Sequence, residues 1–236
     1  MANASIISVK EQTPGIRIFR IRPFEGIFDF QPGQFAMLEL DGVKRAYTIA
    51  SSPDKDYLEF IIILVKDGQL TPKLWKLAEG DEIDIMPRAF GHIRLSEIPA
   101  GAPLLLIGTG TGIAMMKSIL DSGALKTRKI TLLNGARFAA DLGFREEFGN
   151  IQDKNLTLVQ VASREPWNGH QGRLSSVFEN PVFNPMIHDP DPSDGTHIII
   201  CGGPEMVDDF VMKFKDLGFA EANAQNPGGN LHFEKY

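Results

Sequence analysis

"PLLLIGTGTGIAMMKSIL", Pro103 to Leu120, reads as an apolar strand, a glycine-rich turn and the start of a helix. The strand has no polar face, as expected when helices cover both sides of a parallel sheet. The same rhythm then repeats. "KITLLNG" precedes "AADLGFREEFG", "LTLVQVAS" precedes "RLSSVFEN", and "THIIICG" precedes "PEMVDDFVMKFKDLG". This alternation predicts a Rossmann-like parallel α/β sheet over residues 99–236. The proline-rich "NPVFNPMIHDPDPSDG" reads as a surface excursion within it.

Upstream of "IPAGAP" the rhythm differs. "GIRIFRIR", "QFAMLEL", "LEFIIILVK" and "DEIDIM" are short strands, separated by the turn residues "TPG", "QPG", "DG", "SSPDKD" and "EG". They predict a separate antiparallel β domain over residues 1–98, a small barrel or sandwich. One helix candidate interrupts it, "TPKLWKLAEG", with Thr71 as its cap and Pro72 at its first position.

Composition narrows the classes. At 236 residues with 43% hydrophobic and 23% charged content, the chain can bury large cores. A net charge of −6 argues against a nucleic-acid binder. "MANASIISVKEQ" lacks the pattern of a signal peptide, and "FIIILV" is too short to span a bilayer. The single cysteine, Cys201, excludes an internal disulfide and a four-cysteine iron–sulfur cluster. These features lead us to expect a cytoplasmic protein without membrane association. The five histidines, at 92, 170, 188, 197 and 232, show no metal-ligand spacing. No metal is expected.

Three loops can carry chemistry. "GTGTG", Gly108 to Gly112, opens a helix, where free amides favour an anion and glycines allow a phosphate or ring close to the backbone. It also suits a plain tight turn. It departs from the dinucleotide pattern G-x-G-x-x-G, since Met115 replaces the third glycine counted from Gly110. It is not a triphosphate loop, since Met116 precedes Lys117-Ser118. "CGGPEM", Cys201 to Met206, ends the fourth strand of this half, and its glycines leave room for a planar ligand. Taken alone, Cys201 reads as a small buried hydrophobe before it reads as a reactive group. "RAYTIASS", Arg45 to Ser52, offers an arginine for a phosphate, an aromatic for a ring face and a hydroxyl for a ring edge.

In order and spacing these segments resemble the ferredoxin–NADP⁺ reductase family. "RAYTIASS" resembles its flavin signature R-x-Y-[ST]. "VKDGQLTPKLWKLAEGDEI" is similar to the stretch that holds the flavin pyrophosphate. "GTGTGIAMMKSIL", "CGGPEMV" and the closing "HFEKY" are similar to its G-T-G-x-G-I-A-P, C-G-x-x-x-M and E-x-Y segments. The resemblance covers nearly the whole chain. It implies a Greek-key FAD-binding barrel followed by an NADP-binding α/β domain.

The resemblance also implies residue roles. Arg45 would pair with FAD phosphate, Ala46 and Tyr47 would pack on the flavin, and Thr48 would hydrogen-bond near N5. Gly68, Gln69, Leu70 and Thr71 would meet the pyrophosphate. Ile61 and Ile63 would offer apolar contact or backbone hydrogen bonds, and Thr111 would lie against either ring. Tyr236 would stack on the isoalloxazine, and Glu234 would steady charge or relay protons with Thr48. Cys201 would touch the nicotinamide C4 region, with Gly110, Gly202, Gly203 and Met206 around that cofactor. Arg137, Ser163, Arg164 and Arg173 would hold the 2′-phosphate, favouring NADP(H) over NAD(H). Thr48, Cys201, Glu234 and Tyr236 form the candidate catalytic set.

The implied activity is electron transfer between NADP(H) and a one-electron carrier, ferredoxin or flavodoxin, through hydride transfer between nicotinamide C4 and flavin N5. The expected protein is a monomer. Two alternatives stay open: an NAD(P)H-dependent flavin reductase or oxygenase reductase component, and a non-catalytic flavin-binding electron-transfer subunit. Two departures from the family pattern bear on this: Met115 stands where the family has proline, and "FIIILV" lacks the tyrosine often found there.

Overall fold

Proline and glycine turns cut the first part of the chain into β1 (Ala4–Thr13), β2 (Ile16–Pro23), β3 (Phe35–Leu40), β4 (Val43–Thr48), β5 (Leu58–Ile63) and β6 (Glu82–Ile85). A two-residue turn, Asp41-Gly42, joins β3 to β4. Both residues have positive φ, 49° and 73°, as a two-residue hairpin of this twist requires. In the computed structural model, which describes residues 2–179, 187 and 190–236, these strands form one antiparallel sheet in the order β4-β3-β6-β1-β2-β5. The prolines and His188 inside 180–186 and 188–189 lie outside the described residues, so the expected surface excursion is left aside.

The two edges of this sheet, β4 and β5, curl toward each other and make a barrel. Just past the end of β4 the two sides touch through the backbone, where Ala50 N donates to Glu59 O at 2.7 Å. Alternation along β5 sends Leu58, Phe60 and Ile62 into the barrel core, with Phe19, Leu38 and Ile83. The helix expected from Thr71 onward is a single turn, α1 (Thr71–Leu74). Leu70 and Leu74 are buried in the barrel, and the Asp81 carboxylate accepts from Ala78 N to turn the chain back.

The second part forms a parallel sheet of β7 (Leu104–Thr109), β8 (Ile130–Ala136), β9 (Leu156–Ala162), the two-residue β10 (His170–Gln171), β11 (His197–Gly202) and β12 (Leu231–Lys235). Its order is β10-β9-β8-β7-β11-β12. The chain leaves β7 in one direction through β8 and β9, then returns to β11 on the other side. This reversal between β7 and β11 opens the crevice where ligands of such sheets bind.

Helices cover both faces, as the all-apolar strands predict. α2 (Ile113–Asp121) and α3 (Arg145–Gly149) pack on the barrel side with Leu104, Leu106, Leu132 and Ile199. α4 (Pro204–Asp216) packs on the far side with Leu105, Ile107, Ile198 and Ile200. "RLSSVFEN" forms a 3₁₀ segment, Leu174–Phe178, rather than an α-helix. Among the described residues no helix is long and apolar enough to cross a membrane.

The barrel-side core does not stop at the second sheet. Ile16, Ile18, Ala50 and Ile61 of the barrel join Ile113, Ala114, Phe144 and Phe148 in one apolar cluster. Gln12 adds hydrogen bonds to Ala140 O and Leu142 O at 3.0 and 2.9 Å.

Candidate functional site

Past the Ala50–Glu59 contact, β4 and β5 part. Among the described residues no hydrogen bond joins Val43–Thr48 to Ile61–Ile63, so two unpaired strand edges face an opening. Arg45 and Ala46 are exposed on one edge; Tyr47 and Thr48 are half-buried beside them. Burial pushes the Tyr47 phenol up to about 12, so it stays neutral. The Thr48 hydroxyl makes no hydrogen bond among the described residues. Gln69 arrives from the loop before α1, and Arg45 Nη2 donates to its Oε1 at 2.7 Å. Two residues 24 apart in sequence therefore meet at one end of the opening.

Two flavin-side expectations need correction. Thr71 is the first helical residue rather than the cap, which is Leu70. Its hydroxyl accepts from Val65 N at 2.9 Å and donates to Val65 O at 3.0 Å, so it closes its own loop and is not directed at a ligand. Gly68 allows that closure, because an added Cβ would meet Val65 O at 2.9 Å. The Leu70 side chain is likewise buried in the barrel, leaving only its backbone. On β5, Ile61 points into the cluster shared by both sheets, whereas Ile63 lines the cleft described next. Both lie on the same face of β5; Ile61 is buried beside Gly143, and Ile63, two residues on at the rim of the same cluster, reaches the cleft.

β12 carries the last part of the site. Its alternation puts Leu231 and Phe233 against the far core, and Lys235 pairs with Asp208 of α4 at 2.5 Å. His232, Glu234 and Tyr236 therefore face the barrel. The Tyr236 hydroxyl donates to Thr109 O at 2.9 Å, and the ring lies over Gly110 and near Ile63. Burial raises the Tyr236 phenol, and contacts with Thr109 and Thr111 partly offset this. Glu234 sits opposite Cys201 in the parallel pairing of β11 and β12. Burial pushes its carboxyl from an ordinary 4.5 up to about 7. The exposed His92 imidazole is its ionic neighbour, Nδ1 to Oε1 3.7 Å.

Cys201 is 3% exposed, and burial, with Glu234 adding, pushes its thiol up to about 12. It lies beneath the glycine turn: a side chain at Gly112 would run into Cys201 O. Gly202 is buried in the same way, against Thr109 and Met206. Neither lines the open cleft, so direct contact from Cys201 or Gly202 is not available in this arrangement. The glycines of both loops serve strand-to-turn packing here as well as access.

The cleft itself has a volume of about 1110 Å³ and runs along the carboxyl ends of β7, β8 and β9. Gly110, Arg137, Ser163, Arg164, Arg173, Gly203, Met206 and Tyr236 line it. The loops after β8 and β9 are tied together: Ser163 N donates to Ala136 O at 3.1 Å and Arg164 N to Arg137 O at 2.9 Å. That sets Arg137 beside Arg164, and Gly172 N, donating to Ala162 O at 3.1 Å, holds the segment carrying Arg173 along the same cleft. Sequence reasoning missed the opposite wall, Thr13, Pro14 and Gly15 of the β1–β2 turn, which read only as a hairpin signal. Among the described residues no group of three or more metal-binding side chains converges.

The openings fit two elongated ligands. The first slot offers unpaired backbone for the edge of a flat ring, a neutral phenol, a free hydroxyl, and an arginine at the phosphate end. The second offers glycine turns and an arginine cluster. Ile63, on the edge of the first, and Tyr236 both line the second. Fold and site define a two-domain oxidoreductase holding a flavin beside a nicotinamide dinucleotide. Residues 4–91 match the oxidoreductase FAD-binding domain family and residues 106–211 the oxidoreductase NAD-binding domain family. The chain is 35% identical over 202 residues to the flavodoxin/ferredoxin–NADP reductase of Escherichia coli strain K12, covering 81% of this chain and 82% of that protein. It is 30% identical to the ferredoxin–NAD(P)⁺ reductase component of a Pseudomonas putida naphthalene 1,2-dioxygenase system, covering 95% of this chain and 69% of that one. A crystal structure of a Neisseria gonorrhoeae ferredoxin–NADP⁺ reductase with bound FAD and NADP superposes with a TM-score of 0.87 at 29% identity, covering 100% of this chain and 99% of that one. The chain belongs to the ferredoxin–NADP⁺ reductase family.

Proposed function

We propose that this protein carries electrons between NADP(H) and a ferredoxin or flavodoxin, through FAD held in the barrel slot. One observation supports the reading: Ile63, on the unpaired edge of β5, lines the dinucleotide cleft together with Tyr236. Bound FAD supplies the exchange between a two-electron donor and a one-electron carrier. The protein's work is positioning and proton control. Arg45 and Gln69, with the amides of Gly68 to Thr71, hold the pyrophosphate. Ala46 and Tyr47 pack on the flavin, and Thr48 directs its hydroxyl at the ring edge. Glu234 holds a proton near neutral pH and passes it toward His92. Tyr236 covers the ring face until the nicotinamide arrives. Cys201 and Gly202, packed beneath the Gly108–Gly112 turn, would support from below the loop against which the nicotinamide would rest, with Thr111 on the turn itself.

Arg137, Ser163, Arg164 and Arg173 recognise the 2′-phosphate, which favours NADP(H). We place the domain boundary at residue 98, in the link between the two sheets, and read the protein as a cytoplasmic monomer.

The likeness to an oxygenase reductase component supports a second reading, in which the carrier belongs to an oxygenase. Anaerobic mixing separates these. NADPH should bleach the bound FAD within seconds, and the reduced protein should then reduce ferredoxin or flavodoxin faster than free flavin. Bleaching followed by transfer to free flavin alone would favour a flavin reductase. No bleaching would leave only a non-catalytic subunit.

A further inference from the structure

α2 starts where the glycine turn ends, and two consecutive residues on it reach across to the barrel. The Ser118 hydroxyl donates to Ser51 O at 2.7 Å, fully buried. Lys117 Nζ lies 3.2 Å from Glu59 Oε1 and also pairs with Asp121 on its own helix. Glu59 is 2% exposed, and its other oxygen accepts from Arg20 Nε at 2.7 Å. Burial works against the Lys117 charge, but Glu59 and Asp121 together hold its pKa above the ordinary lysine value.

The two barrel partners are not arbitrary. Ser51 Oγ accepts from Glu59 N at 3.2 Å, next to the Ala50–Glu59 contact at which the slot between β4 and β5 closes. The same two residues therefore close the flavin slot and receive α2. A buried ion pair is an expensive way to fill a seam, and apolar residues of similar size often do it as well. What the ion pair adds is register: a buried Glu59 carboxylate needs its cation at one place, and the Ser118–Ser51 hydrogen bond beside it supplies the direction that an apolar contact does not impose.

We propose that Lys117–Glu59 and Ser118–Ser51 form a clasp that sets the separation between the barrel slot and the Gly108–Gly112 turn, making Lys117 a positioning residue for transfer between the two cofactors. The kinetic half of this proposal rests on the functional reading above; the geometric half does not. The test uses FAD-loaded protein with spin labels on cysteines introduced at the exposed Lys76 and Met212, one in each domain. In Lys117→Met the distance distribution should broaden while FAD stays bound. The rate of bleaching by saturating NADPH should fall ten- to a hundredfold, with KM for NADPH changed less than threefold, since misplacement of about 1 Å can cost a hundredfold. Lys117→Arg should recover most of both. Unchanged distances, or an arginine variant no better than methionine, would overturn the clasp. If Lys117→Met does not fold, Ser118→Ala removes a hydrogen bond without stranding a charge and should broaden the distances in the same sense; a distribution identical to wild type overturns the proposal. A wild type that NADPH fails to bleach, with distances still broadened in the variant, overturns the functional reading and upholds the clasp geometry.

Discussion

Glu234 and His232 sit two residues apart on one face of β12, and burial acts on them in opposite senses. It raises the Glu234 carboxyl from 4.5 to about 7 and lowers the His232 imidazole from 6.5 to about 4. His232 Nε2 lies 3.1 Å from His197 Nδ1, and burial, with the Arg128 guanidinium adding, lowers the His197 imidazole too. The signs follow from proton binding. Native Glu234 binds its proton more tightly than the unfolded chain does, so its contribution is full below pH 4.5 and is lost as pH rises through 7. Native His232 resists protonation, so its contribution is present above pH 6.5 and is lost as pH falls to 4. The two slopes oppose each other across their shared window. Glu234→Gln removes one of them. Relative to wild type, its urea midpoint should rise between pH 5 and 7 and level off above. A flavin ring over the carboxyl removes more water and pushes the same way, so the direction holds with FAD bound. Midpoints that stay parallel across pH would refute the buried-carboxyl assignment. Electron transfer should also slow in this variant with FAD retained. Tyr236 is the other residue with a single-site test. Its ring occupies the mouth of the cleft, 57% exposed. Tyr236→Ser should tighten NADP⁺ binding about tenfold, because a stacked aromatic contact is worth about 0.5–1.5 kcal/mol and a tenfold change is about 1.4 kcal/mol. Titration showing unchanged affinity would mean that the ring does not compete.

At the scale of elements, the strands and turns were the legible part. Apolar runs with no polar face announced β7, β8 and β11, and "DG" announced the hairpin of β3 and β4. Helix lengths were less legible. "TPKLWKLAEG" has helix signals at its start, yet Leu70 and Leu74 must reach the barrel core and Asp81 ties the turn, so one helical turn is all that forms. The site motifs told which loops matter, but not which side chains in them are spent. Nothing in "QLTPK" reveals that Thr71 bonds Val65, and nothing in "CGGPEM" reveals that Cys201 lies under Gly112. Both facts depend on tertiary neighbours. The Lys117–Glu59 pair was invisible for the same reason, being 58 residues apart. The paired loops after β8 and β9 allow a prediction at this scale. Arg164→Ala with Arg173→Ala should raise KM for NADPH on the order of a hundredfold, since hydrogen bonds to charged groups are worth about 1.5–3 kcal/mol each. KM for NADH should move less than threefold. Equal effects on both nucleotides would remove the case for 2′-phosphate recognition.

At the scale of the whole molecule, the two sheets do not merely touch. Ile61 leaves the barrel to pack with Ile113 and Phe144, so the apolar cluster is continuous from one fold to the other. Its tightest point is Gly143. A Cβ there would sit 2.7 Å from Ile61 Cδ1 and 2.7 Å from Ile113 Cγ2. Gly143→Ala should therefore cost about 1–3 kcal/mol by overpacking. Ile61→Val removes the Cδ1 methyl and, by itself, should cost about 0.5–1.5 kcal/mol by leaving a gap. Combined, the added methyl enters the space vacated, and the double variant should be more stable than the sum of the two losses requires, with coupling on the order of 1 kcal/mol. Because Ile61 belongs to the barrel sheet and Gly143 to the turn before α3 of the α/β half, this coupling reads the seam directly. Calorimetry should show a single unfolding transition for wild type and for all three variants, each shifted as a whole, since a shared core cannot melt in one half alone. Strictly additive losses, or a barrel transition separating from that of the α/β sheet, would show that the two folds only lie side by side.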